Sequence, residues 1–223
     1  MTQRSRTSRA PRRDARLHPA ERRMPMLWLI VGGVVIVAVV VVLALLLSTA
    51  NGGTSSGEPA RNPVQVSGQA LPSLPQSGSD PAVGQKIPTL TGVTFDNSPM
   101  TIGPNDGPAV IFILAHWCPH CQAEVPRVQQ WIDSGAAPDG VKLLTLTTSI
   151  STTRPNYPPS TWLEREHWSP PVLVDDANST GLSALGMDSF PGFIFVKADG
   201  TVLARTTGEL PIDQLASLVN ELK

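Results

Sequence analysis

Pro108–Cys121, PAVIFILAHWCPHC, runs from a continuous apolar segment into both cysteines of the chain. The apolar part, Pro108–His116, is rich in β-branched residues and is preceded by GPNDGP. That length and composition predict a strand buried on both faces. Downstream, Val125, Val128 and Ile132 fall at i, i+3 and i+7, the spacing of a helix face. The cysteines therefore sit where a buried strand turns into a helix, with Cys118 at or near the helix N-terminus. Unpaired backbone N–H groups and the macrodipole there favour a thiolate. Pro126 lies inside this helix and is expected to kink it.

Cys118 and Cys121 are poor structural material. A bridge between residues three apart closes a tiny loop, where loop-closure stabilisation is smallest. Tetrahedral zinc sites draw two ligand pairs from separated segments. Here His116, Cys118, His120 and Cys121 are crowded together and His167 stands alone, so no metal site is expected. Haem attachment needs histidine directly after the second cysteine, and Gln122 is there instead. Transient copper binding by two soft thiolates stays open. Redox exchange is the reading that uses the spacing.

Working outward, VKLLTLTT (Val141–Thr148) and PVLVDD (Pro171–Asp176) predict two further buried strands. Thr161 and Glu164 have capping-box spacing for a short helix through His167. Asn178-Ser179-Thr180 reads as the cap of a helix near Ser179–Leu185. GFIFVKADGTVLAR (Gly192–Arg205) predicts a hairpin about Asp199-Gly200. Ile212, Leu215, Val219 and Leu222 mark an amphipathic C-terminal helix. With a hairpin within residues 82–102, the order is β-α-β-α-β-α-β-β-α. Such alternation predicts an α/β domain, a central sheet covered on both faces.

The N-terminal part has a different character. Residues 1–25 carry eight arginines against Asp14 and Glu21, a net of +6 in a chain whose total is −1. A basic arm alone is compatible with nucleic acid. The arm leads, however, into Met26–Leu47, 22 residues without a charge. A helix of that length spans the roughly 30 Å hydrocarbon core. The arginines then orient a single transmembrane helix, N-terminus cytoplasmic, against anionic lipid. A cleaved signal peptide ending at Ser48–Ala50 is the competing reading, and the apolar run is longer than a usual h-region. Residues 48–81, rich in Ser, Gly, Pro, Asn and Gln, are expected to be a flexible linker. Residues 82–223 are then the folded domain, large enough for a core without staples. Beyond the membrane, disulfides form and persist.

WCPHC after a buried strand, Pro126 five residues past the second cysteine, FPGF (Phe190–Phe193) opening the late hairpin, and the terminal helix resemble the thioredoxin superfamily. VGQKIP (Val83–Pro88) and CQAEVP (Cys121–Pro126) look like its membrane-anchored, extracytoplasmic TlpA/ResA-like branch. The dipeptide Pro119-His120 is similar to that of DsbA-type oxidants. The resemblance implies a thioredoxin fold with an N-terminal hairpin over residues 82–223. It implies catalysis by a redox-active Cys118–Cys121 disulfide, with no other cofactor. Cys118 would be the exposed exchange sulfur and Cys121 the less accessible resolving one. Phe190-Pro191 would be a cis peptide beside the cysteines, its backbone pairing with an extended substrate segment. Two departures stand out. Thioredoxins carry a buried acid six residues before the first cysteine, where this chain has Phe112. Gly192 follows the expected cis-proline, where threonine is common.

His120 is read as the tuner of Cys118, Pro119 as presetting the turn into the helix, and Trp117 as docking surface. His116 is expected to end its strand at the surface. Glu124 is read as a solvated helix charge without a catalytic role. The sequence thus predicts a membrane-anchored extracytoplasmic thiol–disulfide oxidoreductase oxidising or isomerising disulfides of secreted proteins. Its partners would be protein thiols and disulfides, a redox partner that resets the pair, and the bilayer, with no nucleic acid. The alternatives are a reductase for cytochrome c maturation or similar clients, and a copper-delivery module using the same thiols.

Overall fold

The computed structural model describes residues 62–222. In chain order these form β1 (Gln65–Ser67), β2 (Thr89–Val93), β3 (Pro99–Ile102), β4 (Ala109–Leu114), α1 (Pro119–Asp133), β5 (Lys142–Thr147), α2 (Pro159–Arg165), β6 (Val172–Val174), α3 (Thr180–Ala184), β7 (Gly192–Val196), β8 (Val202–Thr207) and α4 (Ile212–Asn220). The order read from the sequence is present, preceded by one unforeseen strand, β1. The basic arm, the apolar segment Met26–Leu47 and residues 48–61 lie outside the described residues. Among the described residues no helix is long and apolar enough to cross a membrane.

One mixed sheet runs β1-β2-β6-β5-β4-β7-β8, with β3 beside β2. β4 is parallel to β5 and antiparallel to β7, so Ile111 lies opposite Leu144 on one side and Ile194 on the other. Every residue of β4 is buried, as a central strand covered on both faces requires. Its side chains alternate between two cores. Val110, Phe112 and Leu114 face Val125, Val128, Leu215 and Val219 of α1 and α4. Ile111 and Ile113 face Leu90, Ile102, Leu182 and Leu185. The hairpin turn at Asp199-Gly200 is also as predicted, with Gly200 at φ +82 and Lys197 N–H donating to Thr201 O at 2.8 Å.

The flexible linker expected over residues 48–81 is corrected over its described part. Val64 and Leu71 are each 5% exposed. β1 pairs with β2 antiparallel, and the N–H groups of Leu71 and Leu74 donate to Ala184 O and Gly186 O at 2.9 and 2.8 Å. Arg205 pins the segment. Its Nε and Nη2 hold both oxygens of Asp80 at 2.9 and 2.6 Å, while Nη2 also donates to Pro72 O and Nη1 to Leu185 O. This bidentate geometry is the strong form of the carboxylate pair. A Ser-, Gly- and Pro-rich segment can thus be ordered where a few apolar side chains and one buried ion pair anchor it.

Two helix starts also differ from expectation. α2 opens at Pro159 rather than at a Thr161 box, and no side chain caps it. Proline at the first position has no N–H to satisfy. Ser179 occupies the N-cap of α3 at φ +53 with no side-chain cap bond. Asp176 Oδ1 accepts from Thr180 N–H at 3.1 Å, and Asp175 Oδ1 and Oδ2 accept from Gly181 and Leu182 N–H at 2.8 and 3.0 Å. The capping groups are therefore the two aspartates at the end of the β6 segment.

Candidate active site

β4 ends at Leu114, and α1 begins at Pro119 with Cys118 as its N-cap. Pro119 occupies the first helical position and α1 continues through Pro126 to Asp133. Cys118 N–H donates to Ala115 O at 3.0 Å, and Gln122 N–H to Cys118 O at 3.1 Å. This hydrogen bonding sets one thiol at the mouth of the helix and the other one turn in. Cys118 is 7% exposed and Cys121 0%, and both sulfurs are unbridged here. The expected order of accessibility is present, but Cys118 is largely covered rather than exposed. Phe190 and Trp117 pack against the same cluster, which explains the cover. Burial pushes the Cys121 thiol far above its ordinary range, reinforced by the adjacent Cys118 sulfur and the Glu124 carboxyl and opposed by a backbone hydrogen bond from Ala115.

The expected Phe190-Pro191 cis peptide is present. The Cys118 thiol donates to Phe190 O at 3.6 Å, and Pro191 is buried. Trp117 meets Phe190 edge-on, with ring centroids 6.0 Å apart, and its Nε1–H donates to Ser149 O at 2.7 Å. The Arg154 guanidinium lies 4.3 Å over the Trp117 ring, a cation–π geometry. Trp117, Cys118, Phe190 and Pro191 thus come together. His120 turns to a different partner. It is exposed, and its Nδ1 donates to Glu209 Oε1 at 2.8 Å.

His116 does not end its strand at the surface. It is fully buried. Ser151 N–H donates to Nε2 at 3.1 Å, which puts the proton on Nδ1, donating to Pro155 O at 2.7 Å. Burial lowers its pKa, partly offset by the Pro155 carbonyl. Its carbonyl accepts from Gln122 and Asn156. This neutral ring therefore fastens the proline-rich loop after β5 beside the cysteines. A histidine ending an apolar run can be a buried latch when both its nitrogens find backbone partners.

Glu124 also departs from the solvated charge read in the sequence. It is 1% exposed, and burial raises its pKa against the opposing hydrogen bonds of Arg127 and Leu210 N–H. Oε1 accepts from Leu210 N–H at 3.3 Å, while Oε2 pairs with Arg127. The signal was available in the spacing. Cys121, Glu124, Val125 and Val128 fall at i, i+3, i+4 and i+7, one inward face of α1. Phe112, where thioredoxins carry their acid, instead meets Trp168 and Phe193 edge-on at 5.2 and 5.8 Å. The buried acid that follows the cysteines, Glu124, comes from the helix rather than the strand.

The Redoxin family profile matches residues 82–222. No curated protein sequence matches the chain. Among solved structures, MTB DsbF is 22% identical, with a TM-score of 0.50 over 60% of this chain and 94% of that one. The thioredoxin domain of a thiol-disulfide oxidoreductase from Bacteroides vulgatus is 16% identical, with a TM-score of 0.51 over 64% of this chain and 99% of that one. The thiol:disulfide interchange protein, a thioredoxin family protein, of Chlorobium tepidum TLS is 19% identical, with a TM-score of 0.51 over 66% of this chain and 99% of that one. At these identities the likeness is one of fold. With more than half of its length matched and its two thiols at the strand-to-helix turn of that fold, the chain belongs to the Redoxin family.

Proposed function

We propose that this thiol–disulfide oxidoreductase is anchored in the membrane by Met26–Leu47, faces the extracytoplasmic space, and oxidises or isomerises disulfides of secreted proteins. The observation that carries the redox reading is the sulfur asymmetry at the mouth of α1. Cys118 lies beside the Phe190 carbonyl, and Cys121 is wholly enclosed one turn in. In the oxidising direction, a client thiolate attacks the Cys118 sulfur of the disulfide. The Cys118–Cys121 bond breaks and Cys121 leaves as a thiolate. A second client thiolate then attacks the client sulfur and displaces Cys118. The client loses two electrons and the pair gains them. A membrane or extracytoplasmic redox partner must then remove those electrons.

Glu124 suits the proton side of this exchange. Burial raises its proton affinity, which fits a carboxyl that gives a proton to the leaving Cys121 thiolate and takes it back in reverse. Trp117, Phe190 and Pro191 supply a client surface, and backbone pairing along Phe190 would accept many sequences. Glu124 also favours a second reading, a reductase. Phe112 removes the strand acid that would help deprotonate the resolving thiol, and Glu124 replaces it from the helix. The resting state of the pair in cells separates the two. Mostly disulfide supports the oxidant, and mostly dithiol supports the reductase. Tight Cu(I) binding by the reduced protein, with no exchange on a model peptide, would overturn both in favour of copper delivery.

A further inference from the structure

Glu209, in the loop between β8 and α4, lies outside everything assigned above. Its two oxygens hold two different cations. Oε1 accepts from His120 Nδ1 at 2.8 Å, and Oε2 lies 3.2 Å from Arg127 Nη2. The same Arg127 nitrogen pairs with Glu124 Oε2. The next residue, Leu210, donates its N–H to Glu124 Oε1. One short loop segment therefore touches the buried carboxyl from one side and the cysteine dipeptide from the other.

We propose that Glu209 is a positioning residue that links His120 to Glu124 through Arg127, so that the charge on the CPHC histidine sets the proton affinity of the carboxyl beside Cys121. The groups acting on Glu124 are Arg127 and Cys121 from α1, and the Leu210 N–H and Glu209 from the facing loop. Those acting on Glu209 are His120 and Arg127. Their signs differ. Arg127 and the Leu210 N–H favour the Glu124 carboxylate, whereas Glu209 opposes it as a like charge. A protonated His120 neutralises Glu209 and relieves that opposition. A neutral His120 leaves Glu209 to compete with Glu124 for Arg127. The functional consequence rests on the redox reading above.

The test is a carboxyl NMR titration of the full chain, reduced and carbon-labelled at glutamate, with Glu124→Gln assigning the signal. Glu209→Gln removes a like charge and frees Arg127, so the Glu124 midpoint falls by about 0.5 pH unit. Arg127→Gln moves it upward, and Arg127→Lys restores most of the wild-type value. His120→Gln raises it, and that rise disappears in the His120→Gln/Glu209→Gln double variant, the signature of coupled sites. A midpoint unmoved by Glu209→Gln, or a His120 effect that survives without Glu209, overturns the link. Peptide exchange measured in parallel separates the two levels. Exchange absent in the wild type sinks the redox reading and leaves the carboxyl shifts to decide the role of Glu209. Exchange present with fixed midpoints sinks the link alone.

Discussion

The two faces of the central sheet are covered by different means. On one, α1 and α4 lay periodic apolar stripes over Val110, Phe112 and Leu114. On the other, α3 is joined by an aperiodic N-terminal segment that lays Val64, Leu71 and Ala82 over Ile111 and Ile113. Helices advertise their buried face through spacing. An irregular strap does not, because each of its contacts is set by local shape. Both nonetheless bury their apolar side chains, with Leu71 5% and Leu215 0% exposed.

Two carboxyls, one on each side, are shifted in opposite directions. On the strap side, the Arg205 hydrogen bonds hold Asp80 below the usual carboxylate range. On the site side, burial pushes Glu124 above it. A depressed carboxyl contributes stability that is fully present above its unfolded pKa and is lost as pH falls through its folded one. A raised carboxyl does the reverse, costing stability as pH rises from the unfolded value of 4.5 through the folded one. The first anchors a strap, and the second lies on the inward face of α1, one turn past Cys121.

The sharpest way to break this comparison is Arg205→Ala. It removes the ion-pair partner of Asp80, leaving that carboxylate only the Ala82 N–H, and the donor to the carbonyls of Pro72 and Leu185, and should cost roughly 3–5 kcal/mol in urea unfolding. A loss within experimental error would mean the strap is not pinned. Next, Leu71→Ala and Leu215→Ala truncate one leucine on each face. Each should lose about 2–5 kcal/mol by the same measurement, and a negligible loss for Leu71→Ala alone would make the strap a loose cover. Glu124→Gln is expected to slow the Cys121-dependent step of peptide exchange by on the order of 100-fold. An unchanged rate would remove Glu124 from the proton path. The smallest effects are in pH dependence. Asp80→Asn should flatten the loss of stability below pH 3.8, whereas Glu124→Gln should flatten the loss of stability as pH rises above 4.5. Parallel slopes in the two variants would erase the contrast.

The sequence carried the site face well and the other face poorly, for reasons visible in single residues. β4, α1, the late hairpin and α4 follow from apolar runs, 3.6-residue spacing and a turn dipeptide. The neighbourhood of Cys118, Trp117, Phe190 and Pro191 followed from the family resemblance. β1 and the strap were hidden because Val64 and Leu71 sit in a composition typical of linkers. His116 was hidden because its burial depends on two backbone partners 35 and 39 residues downstream. Glu124 was within reach, since its position relative to Cys121 and Val128 puts it on the inward face. A charged residue was nonetheless read as solvated. Glu209 was beyond sequence reasoning, because it meets His120 across 89 residues.

The most direct test of the account is mixed-disulfide trapping with a model disulfide peptide on two variants of the full chain. Cys121→Ser should accumulate a stable adduct through Cys118. Cys118→Ser should form none at the enclosed Cys121. Adducts of equal rate on both sulfurs, or none on either, would contradict the claim that one sulfur exchanges and the other resolves.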